Sequence, residues 1–328
     1  MKTLGKILLA LTLLCLTAWA TTAFLITGPQ TAMAQVLAMG LAFITLFLIS
    51  RLYWTRGRLL AANLLLVLAG AWLLWWQSLV PSNDRLWQRD VAVLPSATVE
   101  GNLVTLHNVR NFQYRSEFDY SPAYYDKQVK LDELMGVDLI ATYWMGPSIA
   151  HIFLSFAFAD GQHVAVSIET RKEIGESYST INGFFRQYEL YYVVADERDV
   201  IGLRTNHRHS PPEQVYLYPL QSDLGNARRL FMAYIERINQ LYERPEFYNT
   251  LITNCTTSIW MSSLVNEDHL PFSWKLLASG HVPQYLYEQG RLQGGQHPFA
   301  ELQRAALIKP RAQAAGDSAD FSRLIRQP

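Results

Sequence analysis

The first 80 residues of the chain are mostly apolar, apart from a few basic and polar positions. Short segments in which polar and apolar residues alternate begin only after residue 80. Three nearly continuous apolar runs occupy residues 4–27, 31–50 and 59–80. Each run has about the 20 residues that a helix needs to cross ~30 Å of hydrocarbon. The first run is long for a cleaved signal peptide and two more runs follow it, so we interpret it as a membrane span. The pattern predicts a three-helix transmembrane anchor over residues 1–80.

Basic residues predict the orientation of this anchor. Lys2 and Lys6 precede the first run, and Arg51, Arg56 and Arg58 lie between the second and third runs. The turn between the first two runs is uncharged. Because short basic loops stay on the cytoplasmic side, the third helix is expected to end on the outer side. We therefore expect a multi-pass protein of a bacterial inner (plasma) membrane, with its soluble part in the periplasm.

Residues 81–292 have the pattern of a soluble domain with several strands. Asp160-Gly161 is a typical turn pair between two apolar runs and predicts a hairpin. Strands are predicted at 102–109, 111–114, 151–158, 163–168, 189–194 and 214–218. The Tyr-rich and Asp-rich stretch 119–150 is expected to be mostly irregular.

Helices are predicted after these strands. One starts at Ser222 or Asp223 and runs to about residue 242, and Pro245 separates it from a second helix over residues 254–264. Residues 293–328 are expected to be a polar tail, in which 321–325 is the segment able to dock. The predicted class is α+β, with an antiparallel sheet and helices packed against it.

Composition excludes some classes of function. The chain has 28 basic and 28 acidic residues, and this balance argues against nucleic acid as a partner. The sequence has no Gly-rich phosphate loop and no His-x-x-x-His or Cys-pair spacing on one element, so no cofactor and no metal are expected. The basic segment 204–209 could hold phosphate headgroups, but a solvated loop is the simpler interpretation.

The two cysteines have different surroundings. Cys15 lies within the first apolar run and is interpreted as a helix filler. Cys255 follows a loop rich in Asn and Thr, and Thr253 or Asn254 can cap the helix that begins there. A helix N-terminus stabilises a thiolate and offers N–H groups to an oxyanion. Cys255 is therefore a candidate nucleophile, with a buried structural cysteine as the alternative.

A thiol nucleophile needs a base and a group that orients the base. His151 heads an apolar strand, where it is either the base or a core histidine bonded to backbone. Glu169 lies on the return strand of the hairpin and could orient His151, or it could instead pair with Arg171 or Arg186.

Five stretches of the domain resemble the Lnb N-terminal periplasmic domain family, long known only as a domain of unknown function. They are residues 151–161, 167–173, 188–191, 196–199 and 247–257, within a similarity that covers most of residues 105–290. The resemblance implies a fold like that of circularly permuted NlpC/P60 papain-like proteins, where the His strand precedes a polar residue and the Cys helix comes last.

The resemblance also implies candidate site residues. It carries over Cys255 as the nucleophile and His151 as the base, whereas it does not fix the third member, for which Glu169 is the candidate. Candidates for substrate binding or oxyanion stabilisation lie in the same matched stretches: Asn254, Thr256, Arg171 and Tyr248.

The chemistry implied is acyl transfer. Lnb-type proteins are linked to N-acylation of bacterial lipoproteins, which moves an acyl chain from a phospholipid to an amine. A membrane phospholipid and a lipoprotein N-terminus are thus the expected partners of a Cys-dependent acyltransferase or acyl hydrolase. A cell-wall cysteine peptidase or amidase and a non-catalytic envelope binding module are the alternatives. The aromatic segments 112–125, 184–185 and 272–274 are either an acyl-chain groove or ordinary core.

Overall fold

The computed structural model describes residues 2–53 and 57–327 of the chain. The chain divides into two compact units. One holds the N-terminal residues up to 81 together with 179–187, and the other holds 82–178 and the residues from 188 onward. Arg56, which the sequence analysis uses to orient the anchor, lies outside the described residues.

The first unit contains three long apolar helices, as the sequence predicts. They are α1 (Lys2–Thr27), α2 (Ala32–Arg51) and α3 (Arg58–Ser78). Each is long and apolar enough to cross a membrane. Thr31 caps α2 by accepting the N–H of Ala34 at 3.2 Å, which fixes the start of the second span. Most apolar side chains of these helices are exposed, as expected where lipid replaces water.

Aromatic side chains gather at one end of the three helices. The Trp19 ring lies 4.8 Å from that of Trp72 and 5.2 Å from that of Trp76. Arg186, from the 179–187 segment of the same unit, stacks over Trp76 at 4.5 Å and donates to its carbonyl oxygen. Trp rings of this kind suit the headgroup region of a membrane.

The second unit is built on a mostly antiparallel sheet. Its strands are β1 (Ser96–Glu100), β2 (Leu103–Arg110), β3 (Gln113–Tyr114), β4 (Tyr120–Ser121), β5 (Tyr124–Lys130), β6 (Leu134–Tyr143), β7 (Ala150–Phe158), β8 (His163–Arg171), β9 (Glu189–Ala195) and β10 (Gln214–Pro219). The main sheet has the order β1-β2-β9-β8-β7-β6-β10, β5 also pairs with β2, and β3 pairs with β4 separately. The predicted α+β class is confirmed.

Helices cover both faces of the main sheet. They are α4 (Glu197–Gly202), α5 (Leu224–Glu243), α6 (Cys255–Ser263), α7 (Val282–Glu288), α8 (Phe299–Ala306), α9 (Lys309–Ala315) and α10 (Phe321–Leu324). Alternate residues of a strand point to opposite faces. In β7, Ile152 and Leu154 accordingly enter the core under α5, while Phe153 enters the core that contains residues of α4, α9 and α10.

The long helix α5 starts and ends close to where the sequence predicts. Asp223 caps it by accepting the N–H groups of Gly225 and Asn226 at 2.7 and 3.2 Å. Phe231 and Ile235 belong to the stripe that it buries against the sheet. This helix therefore closes one side of the core and supports α6.

Two segments differ from the sequence predictions. Residues 119–150 were expected to be irregular, but they contain β4, β5 and the ten-residue strand β6. β6 is buried on both faces, so it lacks the polar alternation that marks a half-exposed strand. Residues 293–327 are not a polar tail, since they contain three helices and bury Phe321 and Ile325 in the core. The docking segment 321–325 is thus correctly placed.

Candidate active site

Cys255 is the first residue of α6, and Asn254 fixes the start of that helix. The Asn254 side chain accepts the N–H of Thr257 at 2.9 Å, while the Thr257 hydroxyl accepts the N–H of Asn254 at 3.1 Å. This reciprocal capping box satisfies two N–H groups that would otherwise lack partners. The cysteine is therefore held in the first turn, where the helix dipole is positive.

The sulfur of Cys255 lies at a gap in the sheet. The ladder between β7 and β8 covers only Leu154–Ala157 and His163–Val166. Beyond that point β7 stays paired with β6, and β8 stays paired with β9. The backbone N–H of Ile152, which faces the gap, hydrogen-bonds the Cys255 sulfur instead of a β8 carbonyl. A helix on one face of the sheet can thus present its cysteine to side chains on the other face.

His151, Ser167 and Glu169 occupy that other face. His151 shares a strand face with Phe153, and Ser167 and Glu169 share one with Ala165. The Ser167 hydroxyl lies 2.7 Å from Nε2 of His151 and donates to Glu169 Oε1 at 2.8 Å. His151 Nε2 and Glu169 Oε1 are 3.5 Å apart, so Ser167 is the direct link between them.

The carboxylate sets the direction of this hydrogen-bond chain. Glu169 is ionised, because its contacts with His151 and Arg204 outweigh burial and hold its pKa well below its usual range. An ionised carboxylate only accepts hydrogen bonds, so the single hydroxyl proton of Ser167 points to it. Ser167 must then accept from Nε2–H of His151. This leaves Nδ1 as the ring nitrogen that faces the Cys255 thiol.

The Cys255 thiol and the His151 ring each shift the pKa of the other. Burial disfavours the thiolate, but the hydrogen bond and charge of His151 and the N–H groups of Ile152 and Thr256 lower the pKa of Cys255 below that of a free thiol. Burial and the charge of Arg204 oppose protonation of His151, yet its contacts with Cys255 and Glu169 raise its pKa. Both shifts favour a thiolate–imidazolium pair.

Arg204 is the partner of Glu169 that the sequence analysis missed. Its guanidinium lies 3.0 Å from Glu169 Oε1 and 3.2 Å from Glu213 Oε2. Neither Arg171 nor Arg186, the alternative partners considered from the sequence, takes this place. Arg204 is buried in a π-helical turn over Leu203–His207, so the solvated-loop interpretation of this segment is wrong for Arg204.

One backbone donor near the sulfur is available for an oxyanion. Within residues 2–53 and 57–327, the N–H of Cys255 has no hydrogen-bond partner. The Thr256 N–H points to the sulfur itself, and its hydroxyl donates to the carbonyl oxygen of Leu276. The side chains of Asn254 and Thr256 therefore do not take the predicted role in oxyanion binding, because both have other partners. Asn254 caps the helix and donates to the carbonyl oxygen of Thr250, and the Thr256 hydroxyl is bonded to Leu276.

Tyr248 and Arg171, the other two candidates, have different positions. Tyr248 is buried, and burial together with the charge of nearby Cys255 raises the pKa of its phenol, so it stays a neutral donor close to the thiol. Arg171 is not a substrate group. Its guanidinium donates to the carbonyl oxygens of Val91 and Ala92 at 2.9 Å and stacks on Trp87, which ties this segment to the sheet.

A group of possible metal ligands lies away from the cysteine. Ligand atoms of Asp138, His163 and Glu197 lie within 4.8 Å of one another. Arg326 donates to both carboxylates at 2.5 and 2.6 Å. Three separate elements contribute these residues, so no sequence spacing could reveal them. The guanidinium of Arg326 already supplies the positive charge that these carboxylates need.

The aromatic segments are not one groove. Phe112 and Tyr114 pack with Tyr120 and Tyr124 in a small buried cluster, which is ordinary core. Phe272 and Trp274 are largely exposed, as is Phe184 to a smaller extent. For residues 112–125 the structure thus supports the alternative of ordinary core rather than an acyl-chain groove.

Comparison with known proteins supports the family predicted from the sequence. A model of the Lnb N-terminal periplasmic domain matches residues 120–280, a range that includes His151, Glu169 and Cys255. The predicted family is confirmed over this range. Together with the three apolar helices, the match makes the chain a membrane-anchored protein with a periplasmic domain. No curated protein and no solved structure matches the chain, so the permuted NlpC/P60 arrangement of this Lnb-type domain stays a prediction.

Proposed function

We propose that the chain is a thiol acyltransferase or acyl hydrolase that attacks lipid esters at the outer surface of a bacterial inner membrane. The observation that carries this proposal is the contact chain Cys255–His151–Ser167–Glu169, which ends at Arg204. A thiol with lowered pKa, a histidine with one nitrogen free to face it and an anchored carboxylate are the parts that nucleophilic thiol catalysis requires.

The membrane anchor favours lipid esters as substrates. The last of the three apolar helices, α3, ends at Ser78, and the second unit begins only a few residues later at Ser82. Such a short connection keeps the domain near the lipid surface, where phospholipid ester carbonyls lie. The proposal includes a multi-pass topology with the domain in the periplasm, which the basic residues Lys6 and Arg51 and the family match support.

The reaction proceeds in two balanced steps. The Cys255 thiolate attacks the ester carbonyl, a C–S bond forms, and the N–H of Cys255 stabilises the oxyanion. The C–O bond then breaks, and the His151 imidazolium gives its proton to the leaving alkoxide. An amine or water attacks the thioester in the second step, His151 takes the proton from the attacking group, and the thiolate leaves. A lipoprotein N-terminal amine is the acceptor that the family resemblance suggests.

Trapping of the thioester tests this proposal. The full chain is reconstituted with a phospholipid that carries an alkyne-tagged acyl chain, and the tag is then located by mass spectrometry. We expect an alkyne acyl group on Cys255 that neutral hydroxylamine removes. Cys15→Ala is the matched control, since it deletes the chain's other cysteine and should keep the label, whereas Cys255→Ala should lose it.

The competing functions give different results in the same preparation. A cell-wall peptidase or amidase would release peptides from purified cell wall and would leave the lipid unlabelled. An inert binding module would do neither, and its Cys255 would titrate near the free value of ~8.5. Adding a diacylated lipoprotein peptide then distinguishes a transferase, which acylates the peptide amine, from a hydrolase, which releases fatty acid.

A further inference from the structure

An apolar cavity of about 150 Å³ lies between α6 and the main sheet. Ile152 and Leu154 of β7 form its floor, Ile259 and Trp260 of α6 form one wall, and Leu276 lies on the other side. A cavity of roughly this volume lined by such side chains holds an apolar ligand of about six carbons.

The cavity starts beside the nucleophile. Its lining includes Ile152 and Thr256 but not Cys255 itself, and the backbone N–H groups of these two residues bond the Cys255 sulfur. From Thr256 to Ser263, another lining residue, α6 advances by about 10 Å, at 1.5 Å for each residue. The cavity therefore runs along the helix away from the sulfur, in the direction that a chain attached to the sulfur would follow.

Three polar side chains in its wall already have hydrogen-bond partners in the protein. The Thr256 hydroxyl donates to Leu276 O, the Trp260 indole N–H donates to Leu270 O at 2.9 Å, and the Tyr285 hydroxyl donates to Pro271 O at 2.7 Å. Water inside such a cavity would find few partners, so the site suits hydrocarbon.

The far end of the cavity is polar. Asp268 lines this end and accepts hydrogen bonds from Asn226 at 2.7 Å and from Arg291 at 2.9 Å. These linked side chains form the polar part of the lining. A chain attached to the sulfur would place its carbonyl beside Cys255 and its methylenes against the apolar side chains Ile152, Ile259 and Leu276.

We propose that this cavity binds the acyl chain of the ester while Cys255 attacks its carbonyl, and that its length sets the preferred chain length. The inference rests on the proposed function and assigns it a substrate class: esters whose acyl chain has several methylenes next to the carbonyl. When the thioester forms, the alcohol leaves with the proton of His151, and the acyl chain remains in the cavity.

A pair of soluble esters tests the proposal. The full chain is placed in nanodiscs of diether phospholipid, which has no ester to compete, and is given p-nitrophenyl acetate or octanoate. Nitrophenolate release measures the rate, and intact mass measures acylation of Cys255. Ile259→Trp fills the cavity, whereas Met261→Trp adds the same side chain to the exposed face of α6 and is the matched control.

We expect Ile259→Trp to slow acylation by octanoate about tenfold or more and to leave acetate within about twofold, because a pocket discriminates chains by the methylenes it holds. Met261→Trp should leave both rates unchanged. If Ile259→Trp does not fold, Ser263→Phe replaces it, because Ser263 lines the cavity from a partly exposed position. It should lower the ratio of the octanoate rate to the acetate rate in the same way. Equal effects on the two esters, or no effect of the folded variant on octanoate, would overturn the proposal.

Binding of octanoic acid to a protein without the nucleophile tests the cavity independently of the proposed reaction. In the Cys255→Ala background, octanoic acid should raise the melting temperature, and Ile259→Trp should abolish that rise. If wild-type protein forms no thioester but this pattern holds, the proposed function fails and the cavity remains a chain-binding site. If the thioester forms but octanoic acid raises the melting temperature of Cys255→Ala equally with and without Ile259→Trp, the acyl chain binds elsewhere.

Discussion

The backbone N–H of Ile152 on β7 hydrogen-bonds the sulfur of Cys255 on α6. In an uninterrupted sheet this N–H would face a carbonyl of β8, but the two strands are paired only from Leu154 and Val166 onward. The divergence of the strands thus provides a donor for the thiolate and an opening through which it meets His151. Breaking the sheet at this point weakens the ladder locally and creates the site.

The thiol of Cys255 is expected to react at lower pH than a free cysteine. In the Cys15→Ala background Cys255 is the single thiol of the chain, so alkylation by iodoacetamide reports on it alone. The rate should rise through a pKa below that of a free thiol, because His151 and two backbone N–H groups favour the thiolate. His151→Ala should move the midpoint up toward ~8.5. An unchanged midpoint would show that the imidazole does not act on the sulfur.

Ser167→Ala should shift the alkaline limb of the pH profile for thioester formation. The raised pKa of His151 means that its imidazolium is present below that pKa and is lost as the pH rises through it. Without Ser167 the hydrogen-bonded link from His151 to Glu169 is broken, so the pKa of His151 should fall. The alkaline limb should therefore shift by about one to two pH units toward lower pH, which corresponds to the loss of one charge-assisted hydrogen bond.

The matched control for this variant is Ser155→Ala. Ser155 is a buried serine of the neighbouring strand, and its hydroxyl donates to Glu197 rather than to the candidate site. It should leave the alkaline limb in place. A shift of equal size in both variants would indicate a general loss of structure and would remove Ser167 from the proton chain.

Asn254 is expected to affect stability and thiol reactivity separately. Asn254→Ala removes the cap of α6 and should lower the free energy of unfolding by about 1 kcal/mol. Asn254→Asp keeps the cap acceptor, so it should retain more of the stability in thermal unfolding. Its negative charge next to Cys255 should nevertheless raise the pKa of the thiol. If the shift in thiol pKa were larger in whichever variant has the lower melting temperature, stability and thiol reactivity would not be independent, and the prediction would be wrong.

Much of the candidate site can be predicted from the sequence because its signals are local. The hairpin that contains His151 and Glu169 follows from two apolar runs around a turn pair. The position of Cys255 follows from the Asn254 cap at the start of a short helical segment. These features depend on residues within a few positions of one another, which is the range over which turn and capping rules act.

Ser167 and Arg204 were missed because their roles depend on tertiary contacts. Ser167 is an unremarkable residue two positions before Glu169, and only the angle between β7 and β8 brings it to His151. Arg204 follows Glu169 by 35 positions. A basic polar segment looks solvated in the sequence, although two buried carboxylates attract this guanidinium into the interior.

Arg326 is expected to hold the C-terminal helix α10 on the sheet through two buried carboxylates. It donates to Asp138 and Glu197 on elements far from it in the sequence. Arg326→Ala leaves these carboxylates without their counter-charge and should destabilise the fold by about 3–5 kcal/mol at neutral pH. Arg323→Ala is the matched control, because Arg323 is exposed and pairs with exposed Asp320, so its loss should have little effect.

The pH dependence distinguishes this ion pair from simple packing by α10. Burial alone would raise the pKa of Glu197, but the hydrogen bond and charge of Arg326 lower it to about 2. In the wild type this contributes stability that is present above the unfolded-state pKa of about 4.5 and is lost as the pH falls toward 2. Arg326→Ala lacks that contribution, so the difference in melting temperature between the two proteins should shrink as the pH falls from 4.5 toward 2. A difference that stays constant over this range would assign the effect of Arg326 to its packing and not to its charge.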